Sequence, residues 1–329
     1  MSRVFGDYHV RIDPWEVDYG DQTPLESRND RPREHVDHEV EVPDDAWEAI
    51  VPPAPGSFRD RVVFVDGVRR LDARVQVRQD ETLIFGGFGS HAVGAAILHD
   101  SAADFGETRV SRTMVLGGGC PLPAPVQVRD DLVYQPESTP RTEVDGPLRH
   151  IQDSMRTAEA ALAADLADPD TLVIVDGPLS FVPERPEQAV GYIKRLHDLY
   201  LPGRFLPLMA TLPAGSRTPL FAIRGDRSGF ARYSWFQRLG DPAHGAVELH
   251  GLVRLEVGAS AGVDAARHLA DAATAWLPGV APQRSRDPRS PQNLLPIGAL
   301  EQHLRARLGD ARLIRRWIEA LVAREAAHE

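Results

Sequence analysis

The chain has 329 residues, a formal net charge of −11 and an apolar fraction of 42%, the balance of an ordinary globular protein. Its single cysteine, Cys120, excludes an internal disulfide and any cysteine-based zinc site. No apolar run approaches the roughly 18 residues that span a bilayer, and the N-terminus has no apolar signal core, so a cytoplasmic protein with no membrane partner is expected.

The acidity is uneven. Residues 1–50 hold 14 Asp and Glu against 5 Arg, leaving the rest of the chain near neutral. Residues 1–57 are polar and proline-punctuated, ending in Val51-Pro52-Pro53-Ala54-Pro55-Gly56-Ser57. They are expected to form an acidic arm and linker with one short helix near Asp44 to Ile50, ahead of a globular domain over 58–329. Arg61 to Val65 predicts the first core strand, running into Asp66-Gly67, and Leu71 to Arg78 alternates as its hairpin partner. Thr82 to Phe88 and Ala92 to Leu98 continue a β-meander. Residues 109–135 read as mixed strand and loop, with Cys120 following three glycines and no motif that would make it a nucleophile.

A helix follows over Leu148 to Leu166, with Ile151, Met155, Ala158, Leu162 and Leu166 as its apolar stripe and Glu159 at the stripe's edge. Asp168-Pro169-Asp170 ends it. Leu172 to Val175 is a second apolar strand running into Asp176-Gly177. Pro186 to Leu199 is expected to be helical and carries Lys194, the one lysine among 37 basic residues. Phe205 to Ala210 and Pro219 to Ile223 read as strands, and Tyr233 to Leu239 and Val247 to Val257 as a strand pair turning at Asp241-Pro242. Asp264 to Leu277 is an amphipathic helix. A proline- and arginine-rich loop and helices over 296–308 and 310–326 complete the chain.

Asp66 and Asp176 share one setting, an aspartate and then a glycine after a strand apolar enough to be covered on both faces. A carboxylate at the rim of a core is costly unless something uses it. Taken singly, Asp66 and Asp176 fit turn or cap residues and Glu159 a solvated helix position; the ordered trio favours a shared site. Such all-oxygen sets suit Mg²⁺ or Mn²⁺, and two such ions roughly 4 Å apart support phosphodiester hydrolysis by water.

The trio, the helix segment Met155-Arg156-Thr157-Ala158-Glu159, the strand Leu172-Val173-Ile174-Val175-Asp176-Gly177-Pro178-Leu179, and Gly191-Tyr192-Ile193-Lys194 together resemble the NurA nuclease family, over roughly residues 58–310. The resemblance implies an α/β, RNase H-like fold with a mixed central β-sheet flanked by helices. It also implies manganese-dependent DNA endonuclease and exonuclease activity, a homodimer, and work with a HerA-type hexameric ATPase in DNA end processing, repair or defence. Asp66, Glu159 and Asp176 would match the metal-binding carboxylates, and Lys194 a lysine that binds the scissile phosphate or steadies the nucleophile. The family's C-terminal histidine aligns best with Glu301, with His303 two residues later. Residues two apart on a helix point about 200° from each other, so only one can face the ion; Glu301 is the preferred fourth ligand and His303 the alternative. Asp287, before Pro288-Arg289, is a further acidic residue that could approach from its loop.

Arg69-Arg70, the loop from Arg284 to Arg289 and the arginines of the last helices are candidate basic patches. Arg69, Arg289, Tyr233 and Trp235 are candidate DNA contacts, the aromatics by stacking on unpaired bases; a solvated face and core packing are the bland alternatives. No Gly-x-x-x-x-Gly-Lys loop occurs, so ATP-driven movement of DNA would come from the partner. The departure at the fourth ligand also motivates an alternative, a catalytically inactive NurA-like subunit that docks a translocase.

Overall fold

The computed structural model describes residues 4–5, 8–12, 34–53, 61–79, 81–99, 102–179, 189–196, 198–225, 231–241, 249–282 and 290–327. In chain order the strands and helices are β1 (His9–Ile12), β2 (Glu34–Asp37), β3 (Arg61–Gln79), β4 (Thr82–His99), β5 (Ala102–Leu116), β6 (Val126–Arg129), β7 (Leu132–Ser138), α1 (Gly146–Leu166), β8 (Thr171–Asp176), β9 (Ala189–Ile193), α2 (Leu206–Thr211), β10 (Phe221–Gly225), β11 (Ala231–Arg238), β12 (Leu252–Gly258), α3 (Val263–Trp276), α4 (Leu295–Arg307) and α5 (Ala311–Ala326). All twelve strands join one sheet, ordered β2-β10-β11-β12-β9-β8-β3-β4-β5-β7-β6, with β1 paired to β3.

The centre of the sheet is the expected mixed α/β arrangement. Strands β3, β4 and β5 form an antiparallel meander, α1 crosses over, and β8 and β9 add in parallel on the other side of β3. Alternation along β3 and β8 divides the core. Val63, Val65, Val173 and Val175 face α1 through Met155 and Leu162. Val62, Phe64, Leu172 and Ile174 face α3 and α4 through Leu269, Ile297, Leu300 and Leu304. Both faces are covered there, which is why Val62 to Val65 and Leu172 to Val175 are apolar at every position.

The meander differs from the sequence expectation in one consequential way. Arg61 to Val65 and Leu71 to Arg78 are not two strands but one 19-residue strand, β3, and Thr82 to His99 is likewise one strand. The polar residues between the apolar runs suggested turns, yet Asp66, Gly67, Arg69 and Arg70 all stay in register with β4, opposite Gly94, Val93, His91 and Ser90. The ladder bends only at a bulge between Leu71 and Ala73. Beyond it, Val75 and Val77 enter a second core with Phe5, Val10, Ile318 and Leu321, closed by α5.

Two other expectations are corrected. Within Pro186 to Leu199 the described residues form β9 and the segment after it, with no helix: Ala189-Val190-Gly191-Tyr192-Ile193 lies between β8 and β12, and burial there outweighs helical periodicity. Phe205 to Ala210 is not a strand but a 3-10 turn leading into α2, where Pro207 occupies the first turn and Met209 is buried. The Asp44 helix is a single 3-10 turn, Asp44–Ala46.

Parts of the acidic N-terminal stretch belong to the sheet. β1 pairs with the far end of β3, and β2 pairs with β10. Trp47 packs on Phe205 at a ring distance of 4.3 Å. Among the described residues, no helix is long and apolar enough to cross a membrane.

Candidate metal centre

The site grows out of the register between β3 and β8. Their last parallel pair is Val65 with Val175, and each strand then delivers its aspartate, so Asp66 and Asp176 are lateral neighbours. Asp66 is therefore not at a strand end. It sits where β3 runs on past the end of its partner, and by alternation both aspartates face α4, as Phe64 and Ile174 do. α4 brings Glu301 to the same point, and one carboxylate oxygen from each of Asp66, Asp176 and Glu301 lies within 4.8 Å of the others.

Glu159 approaches from α1. It is fully buried beside the trio without being one of those three, and Gly67 makes room for it: a β-carbon on Gly67 would stand 2.5 Å from Glu159 Oε1 and 2.9 Å from Met155 Cγ. The Gly67 amide donates to Asp66 Oδ1 at 2.8 Å. Asp66 Oδ2 and Glu159 Oε1 are buried with no hydrogen-bond partner.

These carboxyls resist ionisation. Burial, followed by the neighbouring Asp176 and Glu159, raises the Asp66 carboxyl well above the usual range, and burial pushes Glu159 up to about 7 although Arg156 opposes it. Two like charges 4.8 Å apart repel by roughly 3 kcal/mol at an effective dielectric near 20. Lys194 and Arg156 neutralise part of this. Lys194 Nζ donates to Asp176 Oδ2 at 2.8 Å and to Asn293 Oδ1 at 3.3 Å. Arg156 Nη1 donates to the Asp176 carbonyl at 2.9 Å and lies 3.4 Å from Glu159 Oε2. Its guanidinium lies over Gly177, whose φ of +107° and lack of a β-carbon both permit the contact. The orphaned oxygens, the all-carboxylate donor set and the excess of negative charge fit a hard divalent cation.

His303 does not join this group. Its ring stacks on Phe105 at 4.3 Å and its Nε2 lies 3.4 Å from Thr108 Oγ1, on β5. Lys194 follows a strand, not the expected helix, and its ammonium lies against Asp176. Trp235 is corrected outright. It is wholly buried in the core shared with α3 and α4, so it offers no face to a base; Tyr233 is half-buried against the same core. Arg69 Nε donates to Gln152 on α1. Arg289 and Asp287 lie outside the described residues.

Sequence reasoning missed Arg156 and Asn293. Arg156 had a usable signal, because i,i+3 spacing on a helix places it beside Glu159. Asn293 had none, since its contact with Lys194 bridges 99 positions.

No family model matches the chain, and no curated protein matches it by sequence. Among solved structures it is similar to the NurA nuclease from Sulfolobus solfataricus, at 10% identity over 83% of this chain and 90% of that one, with a TM-score of 0.47. It is also similar to the catalytic domain of human Endonuclease V, at 14% identity over 78% of this chain and 87% of that one, with a TM-score of 0.34. Both likenesses are distant, and the chemistry is assigned from this chain's own residues.

Proposed function

We propose that the chain is a metal-dependent deoxyribonuclease that hydrolyses phosphodiester bonds, with Asp66, Asp176 and Glu301 holding Mn²⁺ or Mg²⁺ and Glu159 completing the acidic surround. The observation that carries this is the convergence of three carboxylate oxygens within 4.8 Å at the centre of the sheet, beside a buried Asp66 oxygen that has no partner. When bound, divalent cations in such a site supply activation of water and neutralise charge on the phosphate oxygens.

The chain's own groups have distinct tasks. Asp66 is anchored by the Gly67 amide through one oxygen, leaving the other to face a ligand. Lys194 commits two of its three donors to Asp176 and Asn293, so a third can meet a phosphate oxygen without disturbing the carboxylates. Arg156 holds the Asp176 backbone and thereby the position of that carboxylate. Arg69, three residues along β3 from Asp66, is the candidate contact for the incoming strand.

The sequence resemblance to the NurA family supports DNA as substrate, a homodimer, and a HerA-type hexameric ATPase as the motor that delivers strands. The test is cleavage of labelled single-stranded DNA with Mn²⁺. Asp66→Ala and Asp176→Ala should each lose about 10³-fold in rate, roughly 4 kcal/mol of barrier; equal activity in wild type and both variants would sink the proposal. An inactive docking subunit would instead give no cleavage in wild type and no carboxylate-dependent Mn²⁺ binding by calorimetry.

A further inference from the structure

Helix α4 delivers Glu301 to the site, yet its contact with the sheet is made by aliphatic residues. Ile297, Leu300 and Leu304 lie in the core with Phe64, Ala92 and Ala96. An apolar seam is non-directional and does little to fix a helix against small slides along its axis. A slide of one residue would move Glu301 by about 1.5 Å. Oxygen–metal bonds in a site for Mg²⁺ or a similar ion are about 2.1 Å long and tolerate little displacement. Something must set the position of α4 more finely than its core residues do.

The C-terminal end of α4 is held by two guanidinium groups. Arg70 Nη2 and Arg112 Nη2 both donate to the Leu308 carbonyl at 3.0 Å, and Arg70 Nη1 donates to the Gly309 carbonyl at 2.8 Å. Leu308 is the C-cap of α4 and Gly309 follows it, so both carbonyls lie at the negative end of the helix dipole. Both arginines are fixed from behind. Arg70 Nε donates to Asp72 Oδ1 at 2.7 Å, Arg112 Nη1 donates to Ser90 Oγ at 2.7 Å, and the Ser90 hydroxyl donates to Asp72 Oδ2. Tyr134 Oη donates to the same Asp72 oxygen at 2.8 Å. The Asp72 side chain is wholly buried, and both of its oxygens are engaged. Strands β3, β4, β5 and β7 thus share one polar cluster that ends on α4.

We infer that Arg70 and Arg112, braced by Asp72, Ser90 and Tyr134, are positioning residues that set the axial placement of α4 and hence the reach of Glu301 into the carboxylate site. Arg70 lies four residues from Asp66 on the same strand. The ligand on β3 and the clamp on α4 therefore share one rigid element, and Asp66 and Glu301 are referenced to each other through it. Seven residues, about two helical turns, separate Glu301 from Leu308, so a shift at the clamp is carried along the helix to the carboxylate. An ion cluster built on a buried carboxylate such as Asp72 gives little net stability compared with apolar packing. Its value here is directional, which the leucine seam is not.

The inference rests on the metal-site reading, and titration of the full-length protein with Mn²⁺ by calorimetry separates the two. Wild type should bind, Glu301→Gln should weaken binding about tenfold, and Arg70→Met should weaken it by a similar or smaller factor. The double variant should bind no more weakly than Glu301→Gln alone, because the clamp acts through that carboxylate. Arg70→Lys, which keeps the charge but cannot fork onto two carbonyls, should fold even if Arg70→Met does not, and should show an intermediate loss. Arg70 variants that lower Tm while leaving Mn²⁺ affinity at the wild-type value would overturn the inference and leave the metal site standing. So would losses that multiply in the double variant. A wild-type protein that takes up no Mn²⁺ would overturn both.

Discussion

Two clusters of buried charge in this molecule are built on opposite principles. Around Arg217, whose side chain is 1% exposed, every group is matched: Nε donates to Asp271 at 2.7 Å, and Nη1 and Nη2 fork onto Glu41 at 2.9 and 2.8 Å. The Leu220 amide adds a further bond to Glu41 at 2.7 Å. Burial alone would raise the Glu41 carboxyl, but the Arg217 fork and that amide outweigh it and hold it below the usual range. Around Asp66 the opposite holds. Carboxylates crowd together, two buried oxygens have no partner, and the Asp66 and Glu159 carboxyls are pushed up. The first cluster is complete as folded and ties the N-terminal stretch to the sheet. The second leaves buried carboxylate oxygens unmatched, and that contrast is what favours reading it as the proposed metal site.

The sharpest way to break the comparison is to remove one charge from each cluster. Arg217→Met should destabilise the fold by about 3 to 5 kcal/mol, because it leaves the buried Glu41 carboxylate and the half-buried Asp271 without their partner. Asp66→Asn should move the metal-free protein the other way at pH 8, stabilising it by about 1 kcal/mol or more. Urea unfolding measures both, and shifts of the same sign would show that the two clusters do not differ in kind.

Proton linkage supplies the next largest effect. Asp66 and Glu159 have folded-state values above their unfolded ones, Glu159 moving from 4.5 to about 7. Between those values the unfolded chain binds fewer protons than the folded chain, so stability of the metal-free protein should fall as pH rises from 5 to 8. Mn²⁺ at a hundred times its Kd should restore about 2.7 kcal/mol at pH 8. A Tm that is flat with pH and indifferent to Mn²⁺ would place the carboxylate cluster with the structural one.

The smallest effect separates the two candidates for the fourth ligand. His303→Ala should leave Mn²⁺ affinity unchanged and cost no more than about 1 kcal/mol through its lost stacking on Phe105. Glu301 is the residue whose neutralisation should weaken the metal. The reverse pattern would transfer the role to His303.

Much of the site was legible because it depends on local pattern. An apolar run followed by a charge and then a glycine is readable from six residues, and Asp66 and Asp176 were found that way. Glu159 was placed by helical spacing; helix geometry let only one of Glu301 and His303 face the ion, and the resemblance to the NurA family favoured Glu301. Trp235 was misread because a strand aromatic is identical in sequence whether it faces solvent or core. The helix expected around Lys194 failed because Ala189 to Ile193 is buried between two strands, which no local window reports.

The sequence by itself determined that two covered apolar strands would each run into an aspartate, and that one lysine would follow the second of them. Short-range sterics and hydrophobic alternation suffice for that. Only the tertiary structure decided that β3 runs on through Asp66, that Val65 pairs with Val175 to set the two aspartates side by side, and that Arg70 and Arg112 hold the helix that brings Glu301 to meet them. The last two relations join residues more than a hundred positions apart, and all three exist because register and burial are satisfied across the whole sheet at once.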